Sequence, residues 1–255
     1  MIWTTSFFSL LVALLFITTV NALPTAYPSS SSFYATILTN FLQFLDVTNC
    51  PFGDAITLPK STLPPPSDGL SLKSITLGRG TQNYTCASAT NTTKPVATGA
   101  TATLFDASCI AALDTDNSDT SKTQSLLHIL PDVLRPIPLS STDLLANILN
   151  RLTNQNLDIG RHYFTADGTP FFDLRGWNSS DSDWIAAKME DDMAAPARPG
   201  YGITKDVPWL KLTHVDGGLR EVYRVHTSGG SAPATCEGMP EELTVDYTAE
   251  YWFYG

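Results

Sequence analysis

Residues 242–253 read Glu-Leu-Thr-Val-Asp-Tyr-Thr-Ala-Glu-Tyr-Trp-Phe. Leu243, Val245, Tyr247, Ala249, Tyr251 and Phe253 alternate with Glu242, Thr244, Asp246, Thr248, Glu250 and Trp252. A strict period of two over this length specifies a β-strand, because successive side chains point to opposite faces of a sheet. The first set is expected to face a core and the second to be mostly wet.

The same chemistry recurs upstream. Leu72 to Leu77, Thr81 to Cys86, Ala100 to Phe105, Arg161 to Thr165, Pro170 to Leu174, Val207 to Thr213 and Glu221 to Thr227 are rich in β-branched and aromatic residues. Asp167-Gly168, Asp216-Gly217-Gly218 and Ser228-Gly229-Gly230 read as turns between them. The Thr-rich stretch from Ala87 to Gly99 reads as an exposed connection, and Asp114 to Ser121 as a polar acidic loop. Helices are expected in few places. One covers residues 33–45, where Phe33, Ile37, Phe41 and Phe44 recur at helical spacing after a serine cap. A second runs from about Thr123 and stops at Pro131. A third starts at Ser141 or Thr142 and buries Leu144, Leu145, Ile148, Leu149 and Leu152. Dense strands without β-α-β alternation make the fold class mainly β, an antiparallel sandwich or barrel with a few peripheral helices.

Residues 1–22 form an apolar run ending in Val20-Asn21-Ala22, which reads as a secretory signal peptide. The run is shorter than the roughly 20 apolar residues of a membrane span. Residues 23–58 are then an N-terminal helical segment packed on the main domain, and residues 59–255 a single β-rich domain. All 15 basic and 25 acidic residues follow the leader, a net charge of −10. That excess of acid repels phosphate backbones and anionic lipid, so neither nucleic acid nor membrane insertion is expected.

Four cysteines, Cys50, Cys86, Cys109 and Cys236, read in an exported chain as two disulfides. The preferred connectivity is Cys86 with Cys109 and Cys50 with Cys236. Asn83, Asn91 and Asn178 open N-x-Ser/Thr glycosylation sequons and are expected at the surface if used.

Candidate chemistry is sparse. None of His128, His162, His214 and His226 is spaced with another as a metal-ligand pair, so no metal and no cofactor is expected. Asp114 to Asp119 lacks the glycine of a calcium loop at its sixth position, and no G-x-S-x-G elbow occurs. Asp167, Asp173, Asp206, Glu221 and Glu250 lie on or beside expected strands. Paired carboxylates for glycoside hydrolysis are recognised only by their separation in space. His162, Trp177 and Trp184 are the residues singled out as ligand contacts: the tryptophans offer faces on which a sugar stacks.

Several strings recur here together: GTQNYTC from Gly80, ATLFD from Ala102, His162-Tyr163-Phe164, DVPWLKL from Asp206, YRVHTSGG from Tyr223 and YTAEYWFY from Tyr247. In that order they resemble a family of secreted, mostly fungal proteins known as domain of unknown function 3455, over about Pro59 to the C-terminus. The resemblance implies a secreted single-domain protein of no agreed activity, some of whose relatives are labelled malate dehydrogenase. The residues do not support dehydrogenase activity. Gly78-Arg79-Gly80-Thr81-Gln82-Asn83 has Asn where a dinucleotide turn needs its third glycine, and it runs into a strand rather than a helix. The function expected is that of a secreted glycoprotein. It is a non-catalytic binding or interaction protein at the cell wall or a host surface, meeting polysaccharide or a small extracellular ligand. The alternative is an extracellular hydrolase or lyase acting on carbohydrate.

Overall fold

The structure, a computed structural model, describes residues 56–116, 126–153, 156–178, 180–197 and 206–255. Its strands are β1 (Leu72–Thr85), β2 (Val96–Asp106), β3 (Asp158–Phe164), β4 (Pro170–Asp173), β5 (Trp184–Met193), β6 (Trp209–Gly217), β7 (Glu221–Gly229) and β8 (Glu242–Tyr254). Each pairs antiparallel with the next, and β8 returns to β1, giving a closed up-and-down barrel rather than a sandwich. Closure gives every described strand a partner on both sides. The helices are α1 (Ser108–Asp116), α2 (Leu126–Leu134), α3 (Leu139–Thr153) and the single turn α4 (Arg175–Asn178). The expected leader, the helix over residues 33–45 and Cys50 lie outside the described residues.

The alternation along β8 places Tyr247, Ala249, Tyr251 and Phe253 inside the barrel with Leu104, Ile159, Phe172, Ile185, Leu212 and Val222. The opposite face is not wet. Glu250 and Thr248 are fully buried and Trp252 is nearly so. The reason is a second apolar cluster outside the barrel, where α1 and α2 lay Ile110, Leu126, Leu127 and Ile129 over Ile75, Leu77, Tyr223, Val225, Trp252 and Tyr254. Only Glu242 to Asp246 shows the expected half-exposed pattern.

Other expectations shift for physical reasons. The two strands expected over 72–86 are one, because Gly78 and Gly80 mark close approach rather than a break. A Cβ on Gly78 would stand 2.4 Å from the Tyr251 ring, and one on Gly80 would stand 1.8 Å from the Thr101 carbonyl oxygen. This places the would-be dinucleotide turn in the middle of a paired strand. Strand β5 has no counterpart in the sequence reading, since Ala-Ala-Lys-Met-Glu favours helix; pairing with β6 overrides it. Asp114 to Asp116 end α1 instead of forming a loop. Helix α2 continues through Pro131 to Leu134, and the buried ring offsets the one helical hydrogen bond it forgoes. Helix α3 starts at Leu139, with the Thr142 hydroxyl donating to the Pro138 carbonyl (3.2 Å) rather than capping. Leu144, expected in the core, is 59% exposed, and Ala146 is buried instead.

The disulfide connectivity also differs from the preferred one. Cys86 is bonded to Cys236. Barrel closure dictates this: Thr85 at the end of β1 pairs with Glu242 at the start of β8, and the Cys86 amide donates to the Glu241 carbonyl (2.7 Å), which brings the β7–β8 connection carrying Cys236 alongside. Cys109 is disulfide-bonded as well, and its partner lies outside the described residues.

Candidate functional site

Three places on the barrel gather chemistry. The first is the outer wall formed by β3, β4 and β5. Tyr163 and Phe171 face each other across the β3–β4 pair, and Trp184 on β5 continues the row. Ring centroids are 5.1 Å apart for Tyr163 and Phe171 and 5.2 Å for Phe171 and Trp184, with planes inclined by 26° and 17°. These are offset stacks, so each ring leaves part of a face uncovered by its neighbour. Tyr163 is exposed, and Phe171 and Trp184 are half-buried. The Arg175 guanidinium lies 5.8 Å from the Trp184 ring centre and grips Asp173 through Nε (2.9 Å) and Nη2 (2.7 Å). That grip holds the Asp173 carboxyl below its ordinary range. A second internally neutralised pair, Arg161 with Asp158, flanks the row. Trp177 lies on α4; its side chain, like that of Asn178, is outside the described residues. Asn91 is exposed in the β1–β2 connection, and Asn83 is half-buried on β1.

The second place is the barrel interior. His162 is 3% exposed, stacks on Phe172 (4.1 Å between centroids) and donates from Nδ1 to the Phe171 carbonyl (2.9 Å). It neighbours Tyr251, shares no contact with His226 and faces away from the aromatic row. Burial pushes its imidazole down to about 4; the Phe171 carbonyl acts in the opposite direction, and the Arg224 charge adds to the depression. An unfolded histidine titrates near 6.5. The folded chain therefore keeps its full stability above pH 6.5 and loses it as pH falls from 6.5 to about 4, a total of about 3 kcal/mol. His162→Gln, which does not titrate, should flatten that part of the curve of urea midpoint against pH. Parallel curves for the two proteins would refute the assignment.

The third place lies outside the barrel, beneath α2. His128 on α2, His226 on β7 and Glu250 on β8 bring their ligand atoms within 4.8 Å of one another. Regular alternation after the outward Val225 would turn His226 into the barrel. The β7–β8 register instead shifts between Val225 and Ser228, and His226 takes a left-handed φ of 43°. This bulge turns it outward, against His128 (3.9 Å, stacked) and Trp209 (4.8 Å). Such a backbone conformation costs on the order of 1 kcal/mol or more and is held only where the surroundings enforce it. Glu250 accepts from the Trp252 indole at Oε2 (3.0 Å) and lies 2.8 Å from His128 Nδ1 at Oε1. The sequence held a weak signal: His226 sits just before Ser228-Gly229-Gly230, turn chemistry that ends regular pairing.

The other acids weighed for glycoside hydrolysis are each tied locally. Asp173 is held by Arg175, and Glu221 by the Ser67 hydroxyl (2.5 Å) and Lys211 (3.3 Å). Asp206 accepts from the Gly229 amide (2.6 Å), and Asp167 from the Thr165 and Thr169 hydroxyls.

Residues 66–255 match the family model described as a protein of unknown function (DUF3455). The chain belongs to the DUF3455 family. No curated protein and no solved structure matches it. The DUF3455 match takes in all eight strands, together with His128, His226, Glu250 and the aromatic row. The family description assigns no residue a role, so the chemistry of this DUF3455 chain rests on its geometry.

Proposed function

We propose that this DUF3455 chain is an exported glycoprotein that acts by binding rather than by catalysis, and that its ligand is a carbohydrate chain of the cell-wall class met on the β3–β5 wall. The apolar leader, the paired cysteines and the sequons support export. The observation that carries the binding reading is the row Tyr163, Phe171 and Trp184, lying on a wall apart from the outer cluster where α1 and α2 cover β1, β7 and β8. Partly open aromatic faces take the C–H faces of sugar rings, and the two flanking guanidinium–carboxylate pairs present hydrogen-bonding groups without net charge, which suits a neutral polymer. The barrel interior is filled by Phe172, Tyr251 and Phe253, which favours recognition on the outside. The local ties of Asp167, Asp173, Asp206 and Glu221 favour binding over hydrolysis.

The test is co-sedimentation of the purified, exported chain with insoluble cell-wall polysaccharides. Trp184→Ala should lower affinity about tenfold, equivalent to about 1.4 kcal/mol. Val215→Ser, at an exposed site on β6, should leave it unchanged. Retention of the wild type on none of the polysaccharides, or equal retention of Trp184→Ala, overturns the reading.

A further inference from the structure

The aromatic wall makes no use of the cluster beneath α2, and three observations there point the same way. Glu250 is a fully buried carboxylate, and among the described residues no lysine or arginine pairs with it. A buried negative charge is costly unless a cation neutralises it. A His128–Glu250 hydrogen bond would need only one imidazole. Yet a bulge and a left-handed backbone conformation at His226 deliver a second to the same spot. Finally, the Trp252 indole holds Oε2 and leaves Oε1 on the side of the imidazoles, as groups around a metal ligand do.

We propose that His128, His226 and Glu250 form a binding site for a divalent transition-metal ion of the zinc class. Two imidazoles and one carboxylate are the donor set for zinc, with a fourth position left for water or a ligand. Calcium and magnesium, which require oxygen donors throughout, fit this set poorly. The ligand atoms of a tetrahedral zinc site lie about 3.3 Å apart, given bonds of about 2.0 Å. The 2.8 Å contact between His128 Nδ1 and Glu250 Oε1 therefore opens on binding, and the stacked rings fan apart so that each lone pair meets the ion in its own ring plane. His128, one-third exposed on the helix side, has room to turn. The ion then links α2 to strands β7 and β8, so binding also clamps the helix to the barrel.

The site carries its own reporter, because Trp209 lies against His226 and Trp252 is bonded to Glu250. With the full chain stripped by a chelator, copper(II) should quench tryptophan fluorescence saturably at one ion per chain. Zinc should compete for the site and raise the melting temperature, whereas calcium and magnesium should do neither. His128→Ala, at a one-third exposed position on the outer helix, should weaken copper(II) binding at least about tenfold and abolish the thermal shift with zinc. His214→Ala, a histidine whose Nε2 lies 3.0 Å from the Gly217 carbonyl elsewhere on the barrel, should change neither. Absence of saturable quenching in the wild type, or the same affinity in His128→Ala as in the wild type, overturns the proposal. Neither result bears on the carbohydrate reading, which is scored on Trp184.

Discussion

Replacing Tyr251 by alanine is expected to cost about 4 kcal/mol, a large part of the roughly 5 to 15 kcal/mol that holds a domain folded. The ring is 1% exposed and packs against Phe172 (5.3 Å between centroids) and the bare backbone of Gly78. Its hydroxyl bonds that of Tyr247 (2.9 Å). Alanine removes the ring from the middle of the barrel, where closed strands on every side restrict collapse of the cavity. Tyr251→Phe, which loses only the hydroxyl, should cost about 1 to 2 kcal/mol. Thr248 tests the outer face of the same strand. It is fully buried, and its hydroxyl has no hydrogen-bond partner among the described residues. Thr248→Val should therefore be neutral or stabilise by up to about 1 kcal/mol, because it removes a buried unpaired hydroxyl at constant shape. Urea midpoints of the three variants decide the matter. A loss below about 1 kcal/mol for Tyr251→Ala would contradict the interior placement of that ring.

The second large effect is at the Cys86–Cys236 bridge, whose partners are 150 residues apart in sequence. A crosslink over a loop of that length removes unfolded-chain entropy worth about 5 kcal/mol in the loop-closure account, and less where the bridge at Cys109 already shortens the loop. Cys86→Ser with Cys236→Ser should therefore lower the melting temperature steeply. Because the bridge joins the end of β1 to the connection before β8, hydrogen exchange should rise first along the β1–β8 seam. Peptide mapping of the unreduced protein gives an independent check: one linked pair must contain Cys86 and Cys236. A Cys86–Cys109 peptide would contradict the barrel closure itself, since the β1–β8 register sets the ends of these segments side by side.

Much of the barrel was legible because the information is local. The alternation at Leu243 to Phe253 names the inward residues of β8 without knowledge of any partner, and β2, β3, β4, β6 and β7 announced themselves by β-branched and aromatic runs between turns. Strand β5 was hidden because Ala186 to Glu190 carries helix formers, and its pairing with β4 and β6 makes it a strand. Gly78 and Gly80 looked like punctuation because a sequence does not show which ring or backbone lies opposite.

The candidate sites divide in the same way. Trp184 could be singled out by residue type, whereas its stacking on Phe171, which in turn stacks on Tyr163, depended on registers across two strand pairs. His128 and Glu250 are 122 residues apart, and no spacing rule joins them. By itself the sequence determined the period of the strands, the side of β8 that faces inward, the acidic charge and the scarcity of catalytic motifs, because each depends on neighbouring residues. The tertiary structure alone decided that the sheet closes, that helices bury the second face of β8, that Cys86 bonds Cys236, and that two histidines converge on a buried glutamate. Each of these rests on contacts between residues far apart in the chain, whose partners are chosen by packing and register rather than by local pattern.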